Sequence, residues 1–283
     1  MSSEVIAFIG GGNMATSLIG GLVSTGYDSK KLVVYEPNEV QANKLKTNYN
    51  IILAKSGSEA ITGTEESKAA DIVLFAVKPQ IIKDVATGVA AAIQKVNPLV
   101  ISICAGIRTI DLSRWCGCPD LAIVRVMPNT PALLQQGATG MFPNPHVNPK
   151  QKESATAILS SFSKSSYWVE KEELIDVVTG LSGSGPAYFF LMCEALSEAA
   201  QKLGLPKEAA DGLAAQTCFG SGAMLCKGDE DAATLRKKVT SPNGTTYAAL
   251  QSFEKDNFNE IVFKAVEAAT NRGKEMGEVF GQQ

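Results

Sequence analysis

Histidine is nearly absent from this 283-residue sequence: His146 stands alone, in the turn Pro-Asn-Pro-His-Val-Asn-Pro. One imidazole gives no support to a multi-histidine metal site or a Ser-His-Asp triad, and no metal is expected. Close-spaced cysteines are equally scarce. Of the six, at 104, 116, 118, 193, 218 and 226, only Cys116-Gly-Cys118 are near neighbours, and no second pair completes a zinc motif. Scattered thiols of this kind read as reduced small hydrophobes in a cytoplasmic protein. Charge of one sign is lacking too: 26 basic residues face 29 acidic ones, a net −3, which argues against a general nucleic-acid partner. No apolar run approaches the roughly 18 residues of a membrane span, so no membrane partner is expected. Met-Ser-Ser-Glu enters a strand at once, which reads as the absence of a signal peptide. There is no internal repeat and no low-complexity segment. The length suggests two domains and a core large enough to need neither disulfide nor metal.

What is present begins with Ile6-Ala-Phe-Ile-Gly-Gly-Gly-Asn-Met-Ala15. Val5 to Ile9 is one short buried strand. Gly10, Gly12 and Ala15 then fall at G-x-G-x-x-A, each small residue with its own task. Gly10 permits a tight turn, Gly12 lets the backbone approach a pyrophosphate, and Ala15 lets the next helix pack close to the sheet. The first N–H groups of that helix face the phosphates. The motif follows a strand, opens an amphipathic helix near Asn13–Thr25 and precedes a second strand at Leu32–Tyr35, the context a dinucleotide fingerprint requires. Ile9, Gly10, Gly11, Gly12, Asn13 and Met14 are therefore cofactor-binding candidates. Glu36 ends the second strand, close to the roughly 20-residue offset at which an acid binds the adenosine ribose. It also reads as a solvated strand end.

Strand and helix patterns alternate onward. Asn38 caps a helix over Glu39–Thr47, a short strand follows at Ile51–Ala54, and a small helix lies near Ser58–Thr62. The buried strand from Asp71 to Val77 ends in Lys78-Pro79, before a helix over Ile81–Ile93. Strand ends on this side of a doubly wound sheet face the ligand crevice, which adds Ala76, Val77, Lys78 and Pro79, although Lys78 also reads as a surface lysine. Strand Leu99–Ser102 leads into Cys104-Ala105-Gly106, small enough to leave room for a nicotinamide ring. Strand Ala122–Val126 closes in the rigid turn Met127-Pro-Asn-Thr-Pro131. An edge strand at Gly137–Phe142, a helix over Pro149–Phe162 and a last strand at Ser166–Val169 complete a first domain, residues 1–169.

From Leu174 the patterns are helical, giving a second, all-α domain over residues 170–283. Leu181-Ser-Gly-Ser-Gly-Pro186 reads as a polar glycine loop. The helices Ala187–Leu203 and Ala209–Leu225 are apolar on most faces, more than about 110 residues can hide, and so point to a second copy of the chain. Thr240-Ser-Pro-Asn-Gly-Thr-Thr246 puts hydroxyls and N–H groups at a helix start, a place suited to a small carboxylate and equally to plain capping.

These motifs together resemble pyrroline-5-carboxylate reductases over nearly the whole chain. Phe8-Ile-Gly-Gly-Gly-Asn-Met-Ala15 resembles their cofactor fingerprint. Ala76-Val-Lys-Pro-Gln80, Met127-Pro-Asn-Thr-Pro131 and Gly180-Leu-Ser-Gly-Ser-Gly-Pro-Ala-Tyr188 follow in the same order. Thr240–Thr246 resembles the signature Ser-Pro-Gly-Gly-Thr-Thr, with Asn243 in place of its first glycine, and Asn tolerates left-handed backbone angles.

The resemblance implies an α/β N-terminal Rossmann-like dinucleotide-binding domain followed by an all-α dimerisation and substrate-binding domain. It implies an interlocked homodimer, often built into a decamer, with the active site between one subunit's cofactor domain and helices of the dimer. It implies reduction of 1-pyrroline-5-carboxylate to L-proline, the last step of proline biosynthesis. Thr246 would hydrogen-bond the ring nitrogen, while Ser241, Gly244 and Thr245 hold the carboxylate. The substrate imine can arrive protonated, so no histidine base is needed, and the cofactor supplies the hydride. The family commonly favours NADP, often with Thr or Ser where Glu36 stands. A carboxylate there accepts from a free ribose hydroxyl and repels a 2′-phosphate, so NAD stays open beside NADP. Two other readings share the layout. A hydroxyacid dehydrogenase would need a lysine early in the second domain, and Gly180–Gln201 has none. A non-enzymatic dinucleotide sensor would not need Ser241 or Thr246.

Overall fold

Ile6–Ile9 forms the central strand β1, buried along its whole length. The computed structural model describes Glu4–Gln282, so the expectation that Met1-Ser-Ser3 begins no signal peptide lies outside the described residues. After β1 come α1 (Asn13–Ser24), β2 (Leu32–Tyr35), α2 (Glu39–Tyr49), β3 (Ile52–Leu53), α3 (Gly57–Thr62) and β4 (Ile72–Phe75). Then follow α4 (Ile82–Gly88), α5 (Ala90–Val96), β5 (Leu99–Ser102), α6 (Thr109–Trp115), β6 (Ile123–Met127), β7 (Gly137–Pro143), α7 (Pro149–Leu159) and β8 (Ser163–Trp168). The rest is helical: α8 (Leu174–Val178), α9 (Gly185–Lys202), α10 (Lys207–Lys227), α11 (Ala232–Lys238), α12 (Thr245–Lys255) and α13 (Phe258–Gly281).

The strands make one sheet in the order β3-β2-β1-β4-β5-β6-β7-β8. β1 to β6 run parallel, β7 is antiparallel to β6, and β8 is parallel to β7. Winding reverses between β1 and β4, the switch point outside whose strand ends a doubly wound sheet binds its ligand. Side chains alternate across the sheet with period two. Ala7, Ile9, Val33, Val73, Phe75 and Val100 pack on one face with residues of α3–α6. Ile6, Phe8, Leu32, Val34, Leu74 and Ile101 pack on the other with residues of α1, α2 and α7. Helices on both faces bury every central strand, which is why these strands read as continuous apolar runs.

Several expectations are corrected. The helix over Ile81–Ile93 is two short ones, broken at Val89, whose N–H reaches back to Val85, Ala86 and Thr87. Gly137–Phe142 is no edge: β7 lies between β6 and β8, and the edge is β8. α7 stops at Leu159 rather than Phe162, and β8 starts at Ser163, three residues ahead of Ser166, because Phe162 turns into the core. Leu181–Pro186 is not a loop: Leu181–Gly183 belong to a π-helical turn, Thr179–Gly183, and Gly185 and Pro186 open α9. α6 gave no signal in the sequence. The statement about long apolar runs also changes: the 29-residue helical run Leu174–Lys202 is long and apolar enough to cross a membrane by length and composition alone.

The chain forms two compact units, one reaching to Gly183 and regaining the stretch from Ala268, the other Ser184–Glu267. The expected division at residue 169/170 lies earlier, at the end of β8. Residues beyond it stay with the sheet through an ion pair: buried Arg125 on β6 holds Asp176 of α8 at 2.6 Å and Glu172 at 3.5 Å. Glu172 also accepts from the N–H of Thr109 at 2.7 Å and from its hydroxyl at 2.9 Å, serving as the cap of α6, which has no local side-chain cap. The end of α13 returns to the same unit, where Arg114 donates to the Gly281 carbonyl at 2.6 Å.

In the second unit, α9 and α10 meet through small residues, with Ser197, Ala210 and Ala214 buried. Ser197 donates to Asp211, whose carboxyl is held below its usual range by hydrogen bonds from Lys207 first and Ser197 second. The larger apolar side chains face outward: Phe189, Phe190, Leu191, Leu213 and Phe219 are each more than half exposed.

Candidate active site

The glycine turn is shaped by close approach. Gly10 has φ +101°, and a Cβ there would lie 2.7 Å from the Ala76 carbonyl oxygen. Its N–H donates to the Tyr35 carbonyl at 2.9 Å, so the turn sits between the ends of β2 and β4. Gly12 is the N-cap of α1 and has no side-chain cap; a Cβ on it would meet no atom within 4 Å. Open space, uncapped N–H groups and a helix dipole suit a pyrophosphate. Gly12 and Asn13 are exposed and Met14 half-buried, while Ile9 and Gly11 are buried beneath them.

Glu36 reaches back over this turn. One carboxylate oxygen accepts from Gly11 N–H at 2.7 Å and the other from Asn38 N–H at 2.9 Å. It is half-buried rather than a solvated strand end. Gln41, which the sequence did not single out, donates to the Gly11 carbonyl at 2.6 Å and to the Thr16 hydroxyl at 3.1 Å. Its only sequence signal is its place in the first turn of α2. Beyond Glu36 opens a cavity of about 470 Å³, lined by Tyr35, Pro37, Asn43 and Ala54 among others. Glu39 and Lys55 also line it.

At the neighbouring strand ends, Ala76, Val77 and Pro79 are half-buried and Lys78 exposed. Cys104 lies beneath the surface: its thiol donates to the carbonyls of Val77 at 3.2 Å and Phe75 at 3.6 Å, and burial pushes its pKa to about 11. Gly106 has φ +73°, and a Cβ there would lie 2.9 Å from the Cβ of Met276. Of the three small residues, Ala105 is the half-exposed one. No group of three or more His, Cys, Asp or Glu able to hold a metal occurs among the described residues.

In the second unit, Asn243 adopts φ +58°, the left-handed backbone that glycine or asparagine accommodates. Gly244 is the N-cap of α12 and has no side-chain cap; a Cβ on it would come 2.5 Å from the Ser241 hydroxyl oxygen. Ser241 and Thr245 are exposed and Thr246 half-buried, so hydroxyls and free N–H groups share one helix start.

A doubly wound sheet with this turn at its switch point and a carboxylate after β2 defines a dinucleotide-binding protein on a Rossmann-like fold. Residues 5–106 match the family model described as NADP oxidoreductase, coenzyme F420-dependent. Residues 172–276 match the one described as pyrroline-5-carboxylate reductase dimerisation. The chain is 43% identical to pyrroline-5-carboxylate reductase of Pseudomonas aeruginosa over 282 residues, covering 100% of both. Its fold is similar to a pyrroline-5-carboxylate reductase structure from Coxiella burnetii, with TM-score 0.91 and 38% identity over 97% of this chain and 99% of that one. The Plasmodium falciparum pyrroline carboxylate reductase, solved with NADP bound, gives TM-score 0.82 and 32% identity over 98% and 99% of the two chains. The chain belongs to the pyrroline-5-carboxylate reductase family.

Proposed function

We propose that the chain reduces 1-pyrroline-5-carboxylate to L-proline with NAD(P)H, the last step of proline biosynthesis. One observation carries this reading: end-to-end correspondence with the Pseudomonas enzyme of that name, 100% of each chain covered. The turn from Ser241 to Thr246, with Asn243 in the left-handed backbone, supports it.

When bound, a reduced nicotinamide would supply the hydride for the imine carbon. Gly12, Asn13 and Met14 would hold the pyrophosphate over a turn shaped by Gly10 and Gly11, and Glu36 would take the adenosine ribose. Ser241, Gly244 and Thr245 hold the substrate carboxylate through hydroxyls and the N–H groups of α12. Thr246 orients the ring nitrogen by a hydrogen bond. Its hydroxyl is far too weak an acid to protonate that nitrogen, so the proton arrives on the iminium from solvent. Fixing the reacting carbon in place is the protein's main contribution.

The cofactor is NADP by family habit, with NAD admitted by Glu36. The functional unit is a homodimer whose partner covers the exposed apolar sides of α9 and α10, and further assembly gives a decamer. Six unpaired thiols fit a cytoplasmic location. A dimerisation region beginning near residue 170 is supported by the matched family model, which starts at residue 172. The deciding experiment follows NAD(P)H oxidation on addition of 1-pyrroline-5-carboxylate and identifies proline as product. Turnover of a hydroxy acid with NAD in place of this reaction overturns the reading.

A further inference from the structure

Two motifs with no role so far, Met127-Pro-Asn-Thr-Pro131 and the stretch around Leu181–Gly183, meet in the first unit. Asn129 is their junction, 8% exposed. Its side-chain amide donates to the Ser182 carbonyl at 3.1 Å, and its side-chain oxygen accepts from Ala138 N–H at 2.9 Å. Both ends of the carboxamide are thus engaged, one by the π-helical turn and one by β7. The turn also packs on Met127: a Cβ on Gly183 would lie 2.5 Å from the Met127 methyl carbon, the mobile end of that side chain. Within the turn, Thr179 and Ser182 donate to the carbonyls of Ile175 and Val178 at 2.8 and 3.1 Å.

π-helical turns weaken regular helix bonding and gather at functional sites. The place of this one is set by the sheet. β6 lies next to β5, Ser102 in register with Arg125, so the chain leaving β6 at Met127 borders the Cys104–Gly106 turn. In a doubly wound sheet, the half that includes β4, β5 and β6 is the nicotinamide half.

We propose that Asn129 is a positioning residue for the reduction: its carboxamide docks the π-helical turn Thr179–Gly183 onto the carboxyl end of β6, making that turn the wall of the crevice on the nicotinamide side. The inference rests on the function proposed above. Asn129 touches no reacting atom and acts through the turn.

Asn129→Asp keeps the acceptor for Ala138 and removes the donor to Ser182. The full-length enzyme carrying it should lose about tenfold in kcat, the scale of one mispositioned hydrogen-bonded group. Its NAD(P)H Kd should stay within about twofold, because the adenosine and pyrophosphate contacts lie over β1 and β2. Amide exchange should quicken over residues 179–184 and not over β1–α1. Asn129→Ala, which removes both hydrogen bonds, should lower kcat at least as far. Unchanged kcat in both variants overturns the proposal, and so does a fall in kcat accompanied by faster exchange throughout the sheet. A wild-type enzyme that does not reduce the imine overturns the functional reading instead, while the exchange data still decide whether Asn129 docks the turn.

Discussion

The carboxylate of Glu36 accepts a 2.7 Å hydrogen bond from the N–H of Gly11, so the acid that follows β2 is fastened to the glycine turn. Asn38 holds its second oxygen, which places a fixed negative charge where the adenosine ribose would lie. A 2′-phosphate would meet that charge, and like charges a few ångströms apart near a surface repel by about 1–4 kcal/mol. Glu39 and Lys55, which line the same cavity, bring one further charge of each sign. NADH should therefore serve better here than family habit suggests, and Glu36→Ser should move preference toward NADPH. Steady-state constants for both cofactors decide it; a wild type strongly selective for NADPH, with an unchanged mutant, removes Glu36 from cofactor choice.

Thr246→Ala should lower turnover and leave NAD(P)H affinity nearly intact. Losing a hydrogen bond to a charged nitrogen costs about 1.5–3 kcal/mol, or roughly 10- to 150-fold in rate. Thr246→Ser should recover most of the loss. Wild-type turnover in the alanine variant would end the assignment.

Sedimentation at micromolar concentration should show a dimer or larger, and Phe190→Asp with Phe219→Asp should shift it toward monomer. Both rings are about 70% exposed on the single chain, a poor state for phenylalanine in water. A fully active monomer would contradict the dimer.

Without Asp176, buried Arg125 keeps only the longer contact to Glu172 at 3.5 Å. Asp176→Ala should destabilise in urea unfolding, by less than the about 3–5 kcal/mol of a buried charge left with no partner. Glu172→Gln should cost less, since the amide oxygen can still accept from Thr109. Equal midpoints for wild type and Asp176→Ala would show that Asp176 does not hold α8 in place.

Cys104 and Cys116 should resist alkylation in the folded protein at pH 8, because burial raises their thiols to about 11 and about 12. Both folded values exceed the ordinary 9.0, so the unfolded chain ionises first. The stability tied to these thiols is complete below about pH 9 and is lost as pH rises through the folded values. Labelling of either cysteine at pH 8, followed by mass spectrometry of peptides, would contradict their burial.

The local steps of this fold are written plainly in the chain. Strand β1, the glycine turn and α1 follow from one apolar run and three small residues. Asn38 caps α2, and Asn243 takes the left-handed backbone that its own side chain tolerates. The apolar excess of α9 and α10 is legible in the same way. Such features are legible because neighbours in sequence decide them: periodicity, caps and turn residues act within a few positions. Partners far apart in sequence were beyond that range. The bond from Glu36 to Gly11, the capping of α6 by Glu172, the interior place of β7 and the docking of Thr179–Gly183 by Asn129 each depend on which strand ends the sheet brings together. Composition cannot rank such pairings, because a buried donor takes whichever acceptor the packed fold presents to it.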